Sequence, residues 1–312
     1  MRWIFLHRDV MVKERIIFTK RRDKMYQIIK NYRNNDELRK SFNELAGKTF
    51  GLNFEDWYQN GFWGENYIPY SIVEDGKVIS NVSVNKTDML LDGEVKHFLQ
   101  LGTVMTDETY RNQGLSREIM EEIEKDYKDK VDGIYLFASD SVLTFYPKFG
   151  FEKSVEYIYS KPVSNSGKCQ LEQVIMDNPI AWKQLEHVMN NNVYHGKFDM
   201  VNNNELVMFY VTKFMQECVY YHSQTGTYVI AEIEGEDAFI HNVFSEKLEE
   251  LDEVIALLGA DVKNVTLGFV PSEANEYNRI EYHEEDCTFF IKGEAMQVVL
   301  NEKLRIPSLS HA

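Results

Sequence analysis

Six consecutive residues carry the clearest chemical signal in this 312-residue chain: Arg111, Asn112, Gln113, Gly114, Leu115 and Ser116. Glycine at 114 lets backbone approach a bulky anion closely, because it has no Cβ and tolerates left-handed conformations. The following segment is helical by its periodicity. Ile119, Met120, Ile123 and Tyr127 share one apolar face, and Glu121/Lys125 and Glu124/Lys128 pair on the wet side. Such a helix would turn its unpaired N–H groups and positive dipole end toward residues 112–117. Arg111 adds a charge suited to phosphate. The segment reads as a pyrophosphate cradle at a strand-to-helix junction, with the strand ending at Val104, Met105 and Thr106. One glycine before a helix also serves plain helix entry, so the flanking residues must decide.

Those flanks resemble motif A of the GNAT superfamily of N-acetyltransferases, R/Q-x-x-G-x-G/A at a strand-to-helix junction. Here the motif is Arg111-Asn112-Gln113-Gly114-Leu115-Ser116, preceded by Gly102-Thr103-Val104-Met105-Thr106. Ser116 departs from the usual Gly or Ala, and serine is small enough for the loop to survive the change. Downstream, Ser141-Val142-Leu143-Thr144-Phe145-Tyr146-Pro147-Lys148-Phe149-Gly150-Phe151 resembles the family's second signature, a helix ending in a tyrosine and a Gly-Phe turn. The resemblance covers about residues 25–160.

The resemblance implies an α/β (α+β) GNAT acyl-CoA transferase fold, a mixed, mostly antiparallel sheet flanked by helices. It implies acetyl-CoA as co-substrate and a primary amine as acceptor, joined by direct attack in a ternary complex. Val104, Met105 and Thr106 would hold the pantetheine and acetyl carbonyl on a strand splayed from its neighbour. An exposed backbone N–H there would stabilise the oxyanion. Asn112, Gln113, Gly114, Leu115, Ser116 and Arg117 would bind the pyrophosphate, and Tyr146 would protonate the departing thiolate. Tyr146 could equally pack at a helix end. A non-catalytic CoA-binding sensor and a plain interaction module are the rival readings.

The base that deprotonates the amine is open. Glu65 lies in an aromatic segment, residues 50–70, and His97 and Gln100 lie on the strand leading to the cofactor. Asp56 and Glu65 would draw a cationic amine over those aromatic faces. No metal-ligand spacing appears, and the run Glu281-Tyr282-His283-Glu284-Glu285-Asp286-Cys287 reads as a solvated face. Cys169, Cys218 and Cys287 are far apart and fit reduced, cytoplasmic thiols.

These residues need a globular scaffold, and the composition supplies one: 44% hydrophobic, 27% charged, with no apolar run long enough to span a bilayer. A net charge of −16 disfavours nucleic acid and favours a cationic partner. Residues 1–24 are basic and read as an extension outside the main fold. Periodicity then predicts a strand at 25–30, a helix capped near Asn35, a hairpin turning at Asp75-Gly76, a long strand after Asp92-Gly93, and a strand at 133–138. A closing strand around Tyr157 completes a first domain over 25–160, and 161–168 reads as a linker. Residues 169–300 read as a degenerate second copy, with strands at 206–211, 228–231, 238–243 and 265–270 and a helix capped by Ser245. Its strand-to-helix junction lacks the glycine and arginine. Residues 301–312 read as a loose tail.

Overall fold

The computed structural model describes residues 15–21, 24–194 and 196–311. Strands β1 (Arg15–Arg21) and β2 (Lys24–Lys30) open the chain, followed by helices α1 (Asp36–Phe50) and α2 (Glu55–Gln59). Helix α1 begins where the Leu38 N–H donates to Asn35 Oδ1, and it buries Leu38, Phe42 and Leu45. Strands β3 (Tyr67–Glu74) and β4 (Lys77–Leu91) meet at Asp75 and Gly76, both in left-handed conformation, as a two-residue hairpin turn requires. Strand β5 (Glu94–Thr106) leads to α3 (Leu115–Tyr127), which crosses back to β6 (Gly133–Ala138), parallel to β5. Strands β7 (Glu152–Lys153) and β8 (Glu156–Pro162) end this half.

The second half starts with β9 (Glu172–Gln173), α4 (Pro179–Asn190), β10 (Phe198–Val201) and α5 (Asn204–Lys213). Strands β11 (Val219–His222), β12 (Thr227–Glu234) and β13 (Asp237–Phe244) follow, then α6 (Leu251–Ala256) and β14 (Asn264–Leu267). Strands β15 (Asn278–Tyr282) and β16 (Thr288–Lys292) precede a short helix α7 (Gln297–Asn301).

Two mixed, mostly antiparallel sheets result, and each repeats the other's plan. The first runs β1-β2-β3-β4-β5-β6-β16-β7, with β10 added to β4; the second runs β15-β8-β14-β13-β12-β11-β9. Each has one parallel pair, β5 with β6 and β13 with β14, joined through a helix. The strand after each parallel pair is exchanged. β16, from the end of the chain, lies between β6 and β7, whereas β8, from the first half, lies between β14 and β15.

Four expectations change. The closing strand around Tyr157 belongs to the second sheet, so no domain boundary falls at 160. Residues 15–21 are not outside the fold: β1 pairs with the whole of β2, whose open edge would otherwise expose a row of N–H and C=O groups; residues 1–14 lie outside the described residues. Residues 206–211 are helix, not strand. Leu206 N–H is capped by Asn203 Oδ1, and burial of Leu206, Val207, Met208, Phe209 and Val211 gives the continuous apolar run that mimics a buried strand. Ser245 accepts from Lys247 N–H and starts only a turn; α6 begins at Leu251.

The loose tail is also corrected. Leu304, Arg305, Ile306, Leu309 and Ser310 are buried, and the segment runs between the two sheets. Tyr159 Oη donates to Lys303 O, Ser308 N–H donates to Gly268 O, and Tyr135 Oη donates to Ser310 O. No helix among the described residues is long and apolar enough to cross a membrane.

Candidate active site

Strands β5 and β6 pair only over Phe98–Gly133 to Leu101–Leu136 and then part, although β5 continues to Thr106 and β6 to Ala138. A bulge produces the parting on the other side of β5. Asn81 faces Met105 and Ser83 faces Gly102, so Thr103 and Val104 together oppose the single residue Val82. Thr103 takes φ 48° there. The extra residue reverses the pleat: Leu101 packs with α3, whereas Met105, four residues on, packs with α1 and α2.

Buried polar side chains hold the bulge. Asn81 Nδ2 donates to Thr103 O at 2.9 Å, and Ser71 Oγ donates to Asn81 Oδ1 at 2.8 Å. Tyr67 Oη and Thr103 Oγ1 are 2.5 Å apart. Burial pushes the Tyr67 phenol up to about 12, so it stays protonated.

A cleft of about 800 Å³ passes through this opening. Residues 101–106 of β5 form one wall, residues 137–139 at the end of β6 another, and Arg111, Ser141, Val142 and Tyr146 stand at the α3 side. On the opposite face of the sheet the cleft reaches Phe54, Trp57 and Tyr67, and also Phe209 and Tyr210 of α5 and Phe214 just after it. The second half of the chain therefore supplies one wall of the cleft in the first sheet.

The segment expected as a phosphate cradle is a tight loop at a helix start. Asn112 and Gly114 are left-handed, at φ 62° and 76°, and α3 starts at Leu115 with Gly114 as its N-cap. Residues 115–117 thus turn free N–H groups toward the loop. Gln113 Oε1 accepts from Tyr26 Oη, fixing the loop to β2. Arg111 is half exposed, with Nε donating to Thr106 O at 3.3 Å and Nη1 3.6 Å from Glu108. Arg117 lies over the Phe149 ring at 5.4 Å. Ser116, where the family pattern has Gly or Ala, bonds to Thr106 Oγ1 and leaves the helix start undisturbed.

Tyr146 begins a 3-10 turn before Gly150, which is left-handed at φ 79°. Its ring packs against Phe145, Phe151 and Phe290 and lines the cleft. Burial pushes its phenol up to about 12. A phenol that remains protonated at neutral pH can act only as an acid there.

Of the candidate bases, none expected from the sequence lines the cleft. Glu65 is ion-paired with Arg33 on the outer surface. Asp56, expected to draw in a cationic amine, is exposed, 3.9 Å from Lys213. His97 is exposed and bonded to Asp88, whose carboxylate raises the imidazole above its ordinary value. Gln100 is buried within β5, opposite Asn85 and Tyr135. Glu65, Asp56 and His97 each face a partner that the tertiary fold supplies.

Sequence reasoning missed Phe209, Tyr210, Phe214, Asp286 and His311 as cleft residues. They come from 100 to 200 residues downstream, and no local pattern points to them. Asp286, within the run expected as a solvated face, accepts from Ser139 Oγ and Asp140 N–H, and Ser139 holds its carboxyl below the usual range. His311 stacks on Phe137 with centroids 3.8 Å apart. Burial depresses its imidazole to about 3, so it is neutral. Among the described residues no group of three or more His, Cys, Asp or Glu could hold a metal ion.

The matching opening of the second sheet is filled. A bulge at His241 in β13 parallels that at Thr103, and β13 and β14 part after Ile240 and Leu267. Ser308 occupies the gap, bonding His241 Nδ1 at 2.9 Å and Gly268 O at 2.7 Å. With no glycine at the junction and a six-residue α6, this half has no comparable cradle.

A splayed parallel pair, a bulged strand and a left-handed loop at a helix start shape the opening in the first sheet. Residues 35–154 match the family model described as an acetyltransferase (GNAT) domain, so this segment of the chain is a domain of GNAT type. No curated protein matches the sequence. Among solved structures, the chain resembles a conserved protein of unknown function from Enterococcus faecalis V583, described as a probable N-acyltransferase, with TM-score 0.55 and 14% identity over 93% of this chain and 75% of that one. It also resembles a GCN5-related N-acetyltransferase from Kribbella flavida, with TM-score 0.52 and 10% identity over 86% and 71%. Eis1 from Mycobacterium abscessus gives TM-score 0.52 and 12% identity over 88% and 73%. These likenesses extend over both halves of the chain and concern the fold.

Proposed function

We propose that the chain transfers the acetyl group of acetyl-CoA to a primary amine, in a ternary complex formed across the first sheet. The observation that carries this reading is the cleft through the β5–β6 opening, with the bulge at Thr103 and Val104 on one wall and the Asn112–Gly114 turn at its end. Arg111 and the N–H groups of residues 112–117 bind the pyrophosphate. Val104, Met105 and Thr106 run beside the pantetheine. A backbone N–H taken out of the ladder by the bulge receives the oxyanion.

The amine comes from the face of Phe54, Trp57 and Phe209, and its lone pair forms the C–N bond. The C–S bond breaks, and Tyr146 Oη donates its proton to the sulfur. The proton shed by the amine leaves through the open cleft. Glu65, held by Arg33, has no part in this sequence. The three free cysteines fit a reducing, cytoplasmic setting, and burial pushes the Cys287 thiol up to about 12, away from nucleophilic use.

Calorimetry with acetyl-CoA tests the reading. Gly114→Glu places a carboxylate and a Cβ at the cradle and should abolish binding, while Gly93→Glu, at another left-handed glycine in the β4–β5 turn, should not. Release of free thiol with pooled primary amines should follow. Equal affinity of a folded Gly114→Glu variant would overturn the cofactor assignment, and tight binding without thiol release would leave a CoA sensor.

A further inference from the structure

The acceptor end of the cleft has its own chemistry. Its walls are aromatic: Phe54 and Phe209 stack at 5.3 Å with planes 6° apart, and Trp57 meets Phe209 edge-on at 5.3 Å. Phe214 extends this surface toward solvent, 54% exposed and 5.6 Å from Phe209. Among the described lining residues the single carboxylate is Asp286, exposed at the rim. The acidic side chains nearest the aromatic segment in sequence, Asp56 and Glu65, lie elsewhere on the surface and face Lys213 and Arg33. The polar groups deeper in are engaged or neutral. Tyr67 Oη bonds Thr103, Tyr210 Oη donates to His311 O, and the His311 imidazole is neutral.

A polycation needs several carboxylates to replace the water it sheds, because an ammonium buried without a partner is costly. The described lining of this cleft offers one, at its rim. Flat aromatic walls instead reward a ligand with a ring or compact apolar body, through burial and ring–ring contact. They also tolerate one ammonium over a ring face. We infer that the acceptor is a monoamine carried on an aromatic or compact apolar body, of the arylalkylamine kind, and not a polyamine or aminoglycoside. This rests on the acetyl-transfer reading, yet the amine site can be probed apart from turnover.

Two measurements on the full chain test it. In calorimetry with CoA present, 2-phenylethylamine should bind and spermine and kanamycin should not. In the thiol-release assay, kcat/KM for 2-phenylethylamine should exceed that of either polycation at least tenfold. Phe214→Ala, a largely exposed position whose loss should spare the fold, is expected to raise KM for 2-phenylethylamine about three- to tenfold with KM for acetyl-CoA unchanged. Spermine or kanamycin as the better substrate, or an unchanged KM in Phe214→Ala, overturns the inference while leaving acetyl transfer intact. Binding of 2-phenylethylamine by a protein that ignores acetyl-CoA would overturn the transfer reading and uphold the amine site. Binding of neither ligand removes both.

Discussion

Ser116 Oγ lies 2.9 Å from Thr106 Oγ1, which in turn lies 2.8 Å from Ser80 Oγ. Three hydroxyls on β4, β5 and the first turn of α3 therefore form one chain where the bulged strand meets the helix start. The serine that departs from the family pattern is a tie between strand and helix.

Removing that tie should be mild. Ser116→Ala leaves Thr106 bonded to Ser80, so a loss of about 1 kcal/mol is expected in urea unfolding, with acetyl-CoA affinity little changed. A large fall in affinity at unchanged stability would show that the hydroxyl touches the phosphates.

Tyr146→Phe should lower kcat by about 10²–10⁴ with little change in acetyl-CoA affinity. Because burial raises the phenol to about 12, the wild-type rate should rise as the amine deprotonates and show no alkaline decline before pH 10. A rate equal to wild type in the variant would leave Tyr146 as packing.

The exchange of β8 and β16 predicts that neither half folds alone. A fragment ending at residue 168 lacks the strand between β6 and β7 and carries a β8 with no sheet to join. Expressed separately, the two halves should be insoluble or molten by near-UV circular dichroism, and co-expression should restore a soluble complex. A cooperative unfolding transition in the isolated first half would contradict the exchange.

Glu156 gives a pH signature. It is buried, accepts from Ile306 N–H, and desolvation raises its carboxyl from 4.5 to about 7, with Arg305 opposing. The folded chain thus holds the proton more tightly than the unfolded chain. The stability this confers is complete below pH 4.5 and is lost as pH rises through about 7. Glu156→Gln should flatten that slope and match or exceed wild type above pH 7, by up to about 3 kcal/mol. Urea titrations across this range check it; an unchanged slope would mean that Arg305 keeps the carboxylate ionised throughout.

Local signals were legible in the sequence because local physics sets them. Gly114 before an amphipathic run, Asp75-Gly76 between alternating strands and Asn35 before Leu38 each specify conformation within a few residues, and the structure has each of them. The left-handed loop at Gly114 and the tyrosine before the Gly150 turn followed from such patterns. What the fold decided is long-range. Whether Glu65 points at a substrate or at Arg33 depends on a residue 32 positions away. The second-half aromatic wall of the cleft depends on α5 docking Phe209 against Phe54. Residues 206–211 read as a strand because full burial erases the helical stripe. The exchange of β8 and β16 has no local signature, since either strand satisfies the same edge of either sheet by backbone hydrogen bonds, and only the packing of both halves together selects the crossed arrangement.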